Sequence, residues 1–133
     1  MNTKQAIAQL DGLNKKTREA MRKGEARFAN VVVQEAKSRA PGSLPNKIGY
    51  LQANNVTDII GGDELSAYVE FGTGEFAAAY VASLPKEAQD EARKFFVNGK
   101  GKGNPQPFFF PSIFANQEKL LQFIDDELGK LEK

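Results

Sequence analysis

From Ile7 to Ala36, apolar or small residues recur every three or four positions: Ile7, Leu10, Leu13, Thr17, Met21, Gly24, Phe28, Val31, Val32 and Ala36. That spacing puts side chains on one face of a helix and scatters them over both faces of a strand. Lysines and arginines occupy the rest of the surface, so the segment predicts one long amphipathic helix. Asn2 with Gln5 three residues later has the pattern of a capping box at its start. Ala40-Pro41-Gly42 ends it, because proline disfavours helical geometry in the residue before it. Asp11-Gly12 is the place where the first turns would kink or split.

Beyond Pro41 the prolines and glycines mark a loop to Gly49, and Ile48 to Ile60 reads as one or two short strands around the turn-prone Asn54-Asn55. Gly61-Gly62-Asp63 has the residues of a tight turn. After it Leu65, Ala67, Val69 and Phe71 alternate with Ser66, Tyr68 and Glu70, the pattern of a strand with one apolar face that ends in Gly72-Thr73-Gly74. Ala77 to Ala82 fits extended or helical geometry. Ser83-Leu84-Pro85-Lys86-Glu87 reads as a helix start, with Ala88, Ala92, Phe95 and Phe96 on one side and Asn98-Gly99 as the stop. Gly99 to Asn104 is a low-complexity, flexible loop carrying Lys100 and Lys102. Phe108 and Phe110 would share one strand face. Pro111 suits a first helical turn, and Ile113, Phe114, Leu120, Leu121, Ile124, Leu128 and Leu131 continue at helical spacing.

The expected fold is therefore α+β: a long N-terminal helix packed on a small antiparallel sheet, with a short inserted helix and a C-terminal helix. A chain of 133 residues fits one domain over 1–133. No stretch approaches the ~20 apolar residues of a membrane span, and the N-terminus opens a polar helical pattern, so the expectation is a soluble chain made in the cytoplasm with no membrane partner.

The chain has no histidine and no cysteine. Thiolate metal sites, disulfides and the usual histidine- or cysteine-based catalytic sets cannot be assembled from it. A serine-lysine dyad is conceivable, but Ser38, Ser43, Ser66, Ser83 and Ser112 sit in no recognisable motif and read more simply as cap, turn or surface residues. Asp125-Asp126-Glu127 occupies consecutive helical positions, which fan around the axis and do not converge on a cation. Gly99-Lys100-Gly101-Lys102-Gly103 lacks the Gly-Lys-Ser/Thr ending of a phosphate loop, and reads as a connector or a nonspecific contact with nucleic acid. Phe108-Phe109-Phe110 has the rings of a stacking platform without the basic groove such platforms use, so a core strand is the simpler reading. No catalytic, cofactor or metal residue is expected.

Three motifs in order carry a resemblance: Ala36-Lys37-Ser38-Arg39-Ala40-Pro41 at the end of the first helix, Tyr68-Val69-Glu70-Phe71-Gly72-Thr73, and Pro107-Phe108-Phe109-Phe110-Pro111 before the last helix. Together, from about Ala6 to Leu128, the chain resembles the head-to-tail joining, or tail-completion, family of tailed bacteriophages. The resemblance implies a structural virion protein of the neck, with no cofactor and no catalysis. Its expected partners are further copies of itself in a ring such as a hexamer, a portal-side adaptor or connector, and a tail terminator or tail tube protein. Contact with the DNA in the channel would be nonspecific at most. Ala40, Pro41, Tyr68, Glu70, Phe71, Gly72, Thr73, Pro107, Phe108 and Pro111 become framework or interface residues, Lys100 and Lys102 a DNA-proximal loop, and 75–104 a variable helix-plus-loop insertion. Alternative readings are a tail terminator, a minor capsid component, or a small nucleic-acid-binding module.

Charge is unevenly spread. Met1 to Ala40 holds nine Lys/Arg against four Asp/Glu, and Pro41 to Asn98 holds four against eight. A positive helix and a negative middle suit either electrostatic packing between subunits or two solvated faces of one.

Overall fold

In the computed structural model, which describes residues 2–54, 56–93 and 104–132, α1 runs unbroken from Thr3 to Arg39. Its start is the expected capping box: Gln5 N–H donates to the Asn2 side chain at 2.8 Å, and Asn2 N–H donates to the Gln5 side chain at 3.0 Å. Its end is the expected proline stop, with Ala40 already extended at φ −71°, ψ 133°. Asp11-Gly12 causes neither a break nor a split, since one glycine in a helix interior costs only about 1 kcal/mol.

A 3-10 turn over Leu44–Lys47 leads into β1 (Gly49–Ala53), which pairs antiparallel with β2 (Val56–Ile60) in the register Gly49 with Ile60 and Ala53 with Val56. Among the described residues the sheet has these two strands. Asn54 takes φ 51° in the turn, a left-handed conformation that asparagine tolerates better than bulkier residues. Gln52 and Thr57 tie the sheet to α1: the Gln52 amide donates to the Arg22 carbonyl at 2.8 Å, and the Thr57 hydroxyl donates to Glu25 at 2.7 Å.

The alternating segment after the sheet corrects the sequence expectation. Glu64–Phe71 is a helix, α2, and no strand. Gly61-Gly62-Asp63 is accordingly not a hairpin turn but the lead into that helix; the hairpin turn is at Asn54. The physical reason lies in Asp63, whose carboxylate accepts the Ser66 N–H at 3.1 Å while its own N–H donates to the Ser66 hydroxyl at 3.3 Å. This reciprocal cap supplies partners that a helix start otherwise lacks. Wound as a helix, the segment buries Ser66, Glu70 and Phe71, with Ser66 and Glu70 four residues apart on one face and Phe71 beside them.

Two further short helices follow among the described residues, α3 (Gly74–Ala82) and α4 (Lys86–Arg93): Ala77–Ala82 is helical, and α4 is the helix expected after Ser83-Leu84-Pro85. Phe95, Phe96 and the Asn98-Gly99 stop lie outside the described residues. Residues 104–108 are irregular, so Phe108 and Phe110 share no strand face; Phe110 already begins α5 (Phe110–Gly129), with Pro111 in its first turn.

The body is built on the antiparallel pair α1 and α5. Gly24 lies against Ile124, and Glu35 accepts the Asn116 side-chain amide at 3.0 Å. Arg27 crosses the seam to Glu127 at 3.3 Å and Asp126 at 3.5 Å, its guanidinium 4.4 Å from the centre of the Phe123 ring. Lys130, with Arg27 adding to it, holds the Glu127 carboxyl below the usual carboxylate range. The main core cluster is Val33, Ala36, Leu44, Ile48 and Phe108, flanked by Ala40, Ile59, Val69 and Phe109.

The apolar stripe of α1 is therefore only half used. Buried α1 residues are Ala20, Gly24, Ala29, Val32, Val33 and Ala36, whereas Ile7, Leu10, Leu13 and Met21 are exposed. Helical spacing states which face is apolar; the length of α5 decides how much of that face is covered.

Candidate functional site: a carboxylate-capped helix start and its cleft

The sequence Phe108-Phe109-Phe110-Pro111 begins a helix without a serine, threonine, aspartate or asparagine to cap it, and Phe109 at the cap position makes no side-chain cap. Pro111 has no N–H to satisfy, which removes one orphan donor. Acceptors for Phe109, Phe110 and the preceding Phe108 come from 38 to 40 residues away: one carboxylate oxygen of Glu70 accepts the N–H of Phe108 at 2.6 Å and that of Phe109 at 2.9 Å, and its other oxygen accepts the N–H of Phe110 at 3.0 Å. Negative charge here also meets the positive end of the α5 dipole. Burial pushes the Glu70 carboxyl up from its ordinary value, and the three N–H donors pull in the opposite direction.

Neighbouring bonds hold this arrangement. Gln106 N–H donates to the Val69 carbonyl at 2.8 Å, running the irregular segment alongside α2. The buried Ser112 hydroxyl donates to the Phe108 carbonyl at 2.6 Å, and Asn116 donates to the Ser112 carbonyl at 2.7 Å. Phe110 packs between Phe71, 5.6 Å away by ring centres, and Phe114, 6.0 Å away, with Phe109 edge-on at 5.4 Å. Tyr80 on α3 feels the same carboxylate: its own burial, and then the Glu70 charge, push the phenol up to about 12.

Beside the capped start is a half-open cleft of about 470 Å³, between the end of β2, α2, α4 and the first residues of α5. Its apolar walls are Ile59, Phe71, Phe109 and Phe110; Glu87 and Glu91 of α4 stand at its exposed rim. Asp63 lines one end, its carboxylate bonded to Lys47 at 2.7 Å and held down at about 2, chiefly by that bond.

The structure thus brings together most of the motif residues. Ala40, Glu70, Phe71 and Phe108 meet in or beside the core, and the buried Gly72 closes α2 with φ 78°, a backbone value that favours glycine. Pro107 and Pro111 bracket the capped start, Pro41 leads into the 3-10 turn, and Thr73 is the residue before α3. Tyr68, on α2, is partly buried. Lys100 and Lys102 lie outside the described residues. The serines weighed as nucleophiles have local structural roles: Ser38 donates to the Glu35 carbonyl at 2.6 Å, Ser83 to the Tyr80 carbonyl at 2.6 Å, Ser66 caps α2, and Ser43 precedes the 3-10 turn. Within the acidic run, Asp126 and Glu127 turn toward Arg27.

Sequence reasoning placed Glu70 in a strand and did not anticipate its capping role. The signal was indirect: a helix opened by three phenylalanines and a proline needs an acceptor from elsewhere in the chain.

Fold and site together define an α+β protein whose last helix is capped in trans by a buried carboxylate, beside an apolar cleft with an acidic rim. Compared with protein-family models, with curated proteins and with solved structures, the chain matches none. Among the described residues no helix is long and apolar enough to cross a membrane, and no group of three or more metal-ligating side chains converges.

Proposed function

We propose that this chain is a structural assembly subunit. More particularly, we read it as a neck or tail-completion protein of a tailed phage or prophage, a ring-forming component of the virion that joins the DNA-filled head to the tail. The reading starts from the ordered resemblance of three sequence motifs. The observation that supports it best is that those motifs, well separated in sequence, form one framework: Ala36 and Ala40 from the first, Val69 and Glu70 from the second, and Phe108 and Phe109 from the third meet through the core cluster and the Glu70 cap. Residues placed at three distant points and used together to hold one helix start suit a structural scaffold more than a reaction centre.

On this reading the subunit's partners are its own copies, a portal-side adaptor and a tail terminator or tail tube protein, and the large share of exposed apolar residues on α1 is surface for them. Electron microscopy of particles assembled without this protein tests the role. Full heads separated from finished tails are the expected result; joined, infectious particles would overturn it.

A further inference from the structure

The N-terminal half of α1 is a helical arm. α1 has 37 residues and its antiparallel partner α5 has 20, and none of the described residues before Ala20 is buried. At 1.5 Å per residue, roughly 25 Å of helix extends past the packed body. Ile7, Leu10 and Leu13 on it are 53%, 60% and 56% exposed, a stripe that is too apolar and too regular to be scattered surface residues. Lys4, Lys15, Arg18 and Arg22 fall within about 60° of one another at about 100° per residue and run along one flank of that stripe, which they leave net basic with Asp11 among them.

The cleft beside the Glu70 cap has the complementary chemistry, with phenylalanine and isoleucine walls and Glu87 and Glu91 on the rim. It lies toward the other end of the molecule, because Phe109 packs against the cluster of Val33 and Ala36. Leu10 and Val33 are roughly 35 Å apart along one continuous helix. An unbroken helix cannot fold back that far, so the arm cannot occupy its own cleft.

We propose that the arm of one copy lays its apolar stripe into the cleft of the next copy, with the basic flank against the acidic rim. A second copy is favoured over pairing of two arms, since the basic flanks of two arms repel, while the cleft offers opposite charge. The contact joins two different patches, so it repeats head to tail and closes into a ring when the rotation between copies fits. It specifies the subunit contact within the neck reading and rests on that reading only for ring closure.

The absence of cysteine makes cross-linking a clean test. Leu10→Cys and Glu87→Cys proteins, both changed at exposed positions, are mixed at a concentration where sedimentation detects association and treated with a short bismaleimide. The expected product is the mixed Leu10–Glu87 dimer, and the double variant should give a ladder. Predominant Leu10–Leu10 dimers, intramolecular closure of the double variant, or no cross-link would each overturn the proposal. Lys15→Glu with Arg18→Glu should weaken association by about tenfold or more, and pairing that protein with Glu87→Lys, Glu91→Lys should restore it. Failure of restoration would overturn the charge match. Leu10-dependent capture by anionic lipid vesicles with no mixed cross-link would assign the arm to a lipid surface instead. A ladder from a protein whose loss leaves heads and tails joined would uphold this contact and overturn the neck role; separated heads and tails with no ladder would do the reverse.

Discussion

Gly24 and Ile124 approach so closely that a Cβ built on the glycine would sit 2.7 Å from the isoleucine Cα. The obstructing atom is backbone, so it cannot swing away as the end of a side chain would, and the two helices would have to separate along their seam. Gly24→Ala is expected to lower stability by about 1–2 kcal/mol, since overpacking costs about 1–3 kcal/mol and the better helix propensity of alanine returns up to about 1. Gly12, on the exposed arm, has nothing within 4 Å of such a Cβ. Gly12→Ala should therefore raise stability by up to about 1 kcal/mol. Urea melts of the two variants check both signs.

Removing the cap in trans should be costly. Glu70→Ala leaves three N–H groups of the α5 start without their acceptor, with an expected loss of about 2–4 kcal/mol. Glu70→Gln keeps one acceptor oxygen and should lose about half as much. Amide hydrogen exchange at Phe108, Phe109 and Phe110 should speed up in both variants before exchange elsewhere in α5 does.

Asp63 gives a pH dependence of known sign. Its carboxyl lies at about 2 in the folded protein, chiefly through the Lys47 bond, against an ordinary value of 3.8. A depressed folded value means that the unfolded chain binds the proton more readily, so the stabilisation is present above 3.8 and is lost as pH falls through about 2. The stability gap between the natural protein and Asp63→Asn should narrow over that window and vanish below it. A gap unchanged from pH 5 to pH 2 would show that the Lys47 pairing is not its source.

The glycines after α2 are expected to differ. Gly72 closes the helix at φ 78°, where a β-branched residue is strained by about 1–3 kcal/mol, while Gly74 is the first residue of α3. Gly72→Val should lower the melting temperature, and Gly74→Val should leave it nearly unchanged, since valine has a slightly better helix propensity than glycine. Equal loss in both would remove the special geometry assigned to Gly72.

Where structure depends on neighbours in the chain, the sequence by itself determined it. The limits of α1 follow from Asn2, Gln5 and Pro41, the hairpin turn from Asn54, and the last helix from Pro111 and the spacing after it, because caps, proline sterics and turn dihedrals act over a few residues. Only the tertiary structure decided Glu64–Phe71. Over eight residues, apolar alternation and the spacing of Ser66, Glu70 and Phe71 coexist; the local Asp63 cap favours the helix, and what the sequence of the segment does not contain is the use of its carboxylate, whose N–H partners lie some forty residues on. The arm is decided in the same way: the stripe from Ile7 to Ala36 is continuous in sequence, but α5 is long enough to bury only its second half. Burial is a property of what packs opposite, and no periodicity within one segment contains the length of its partner.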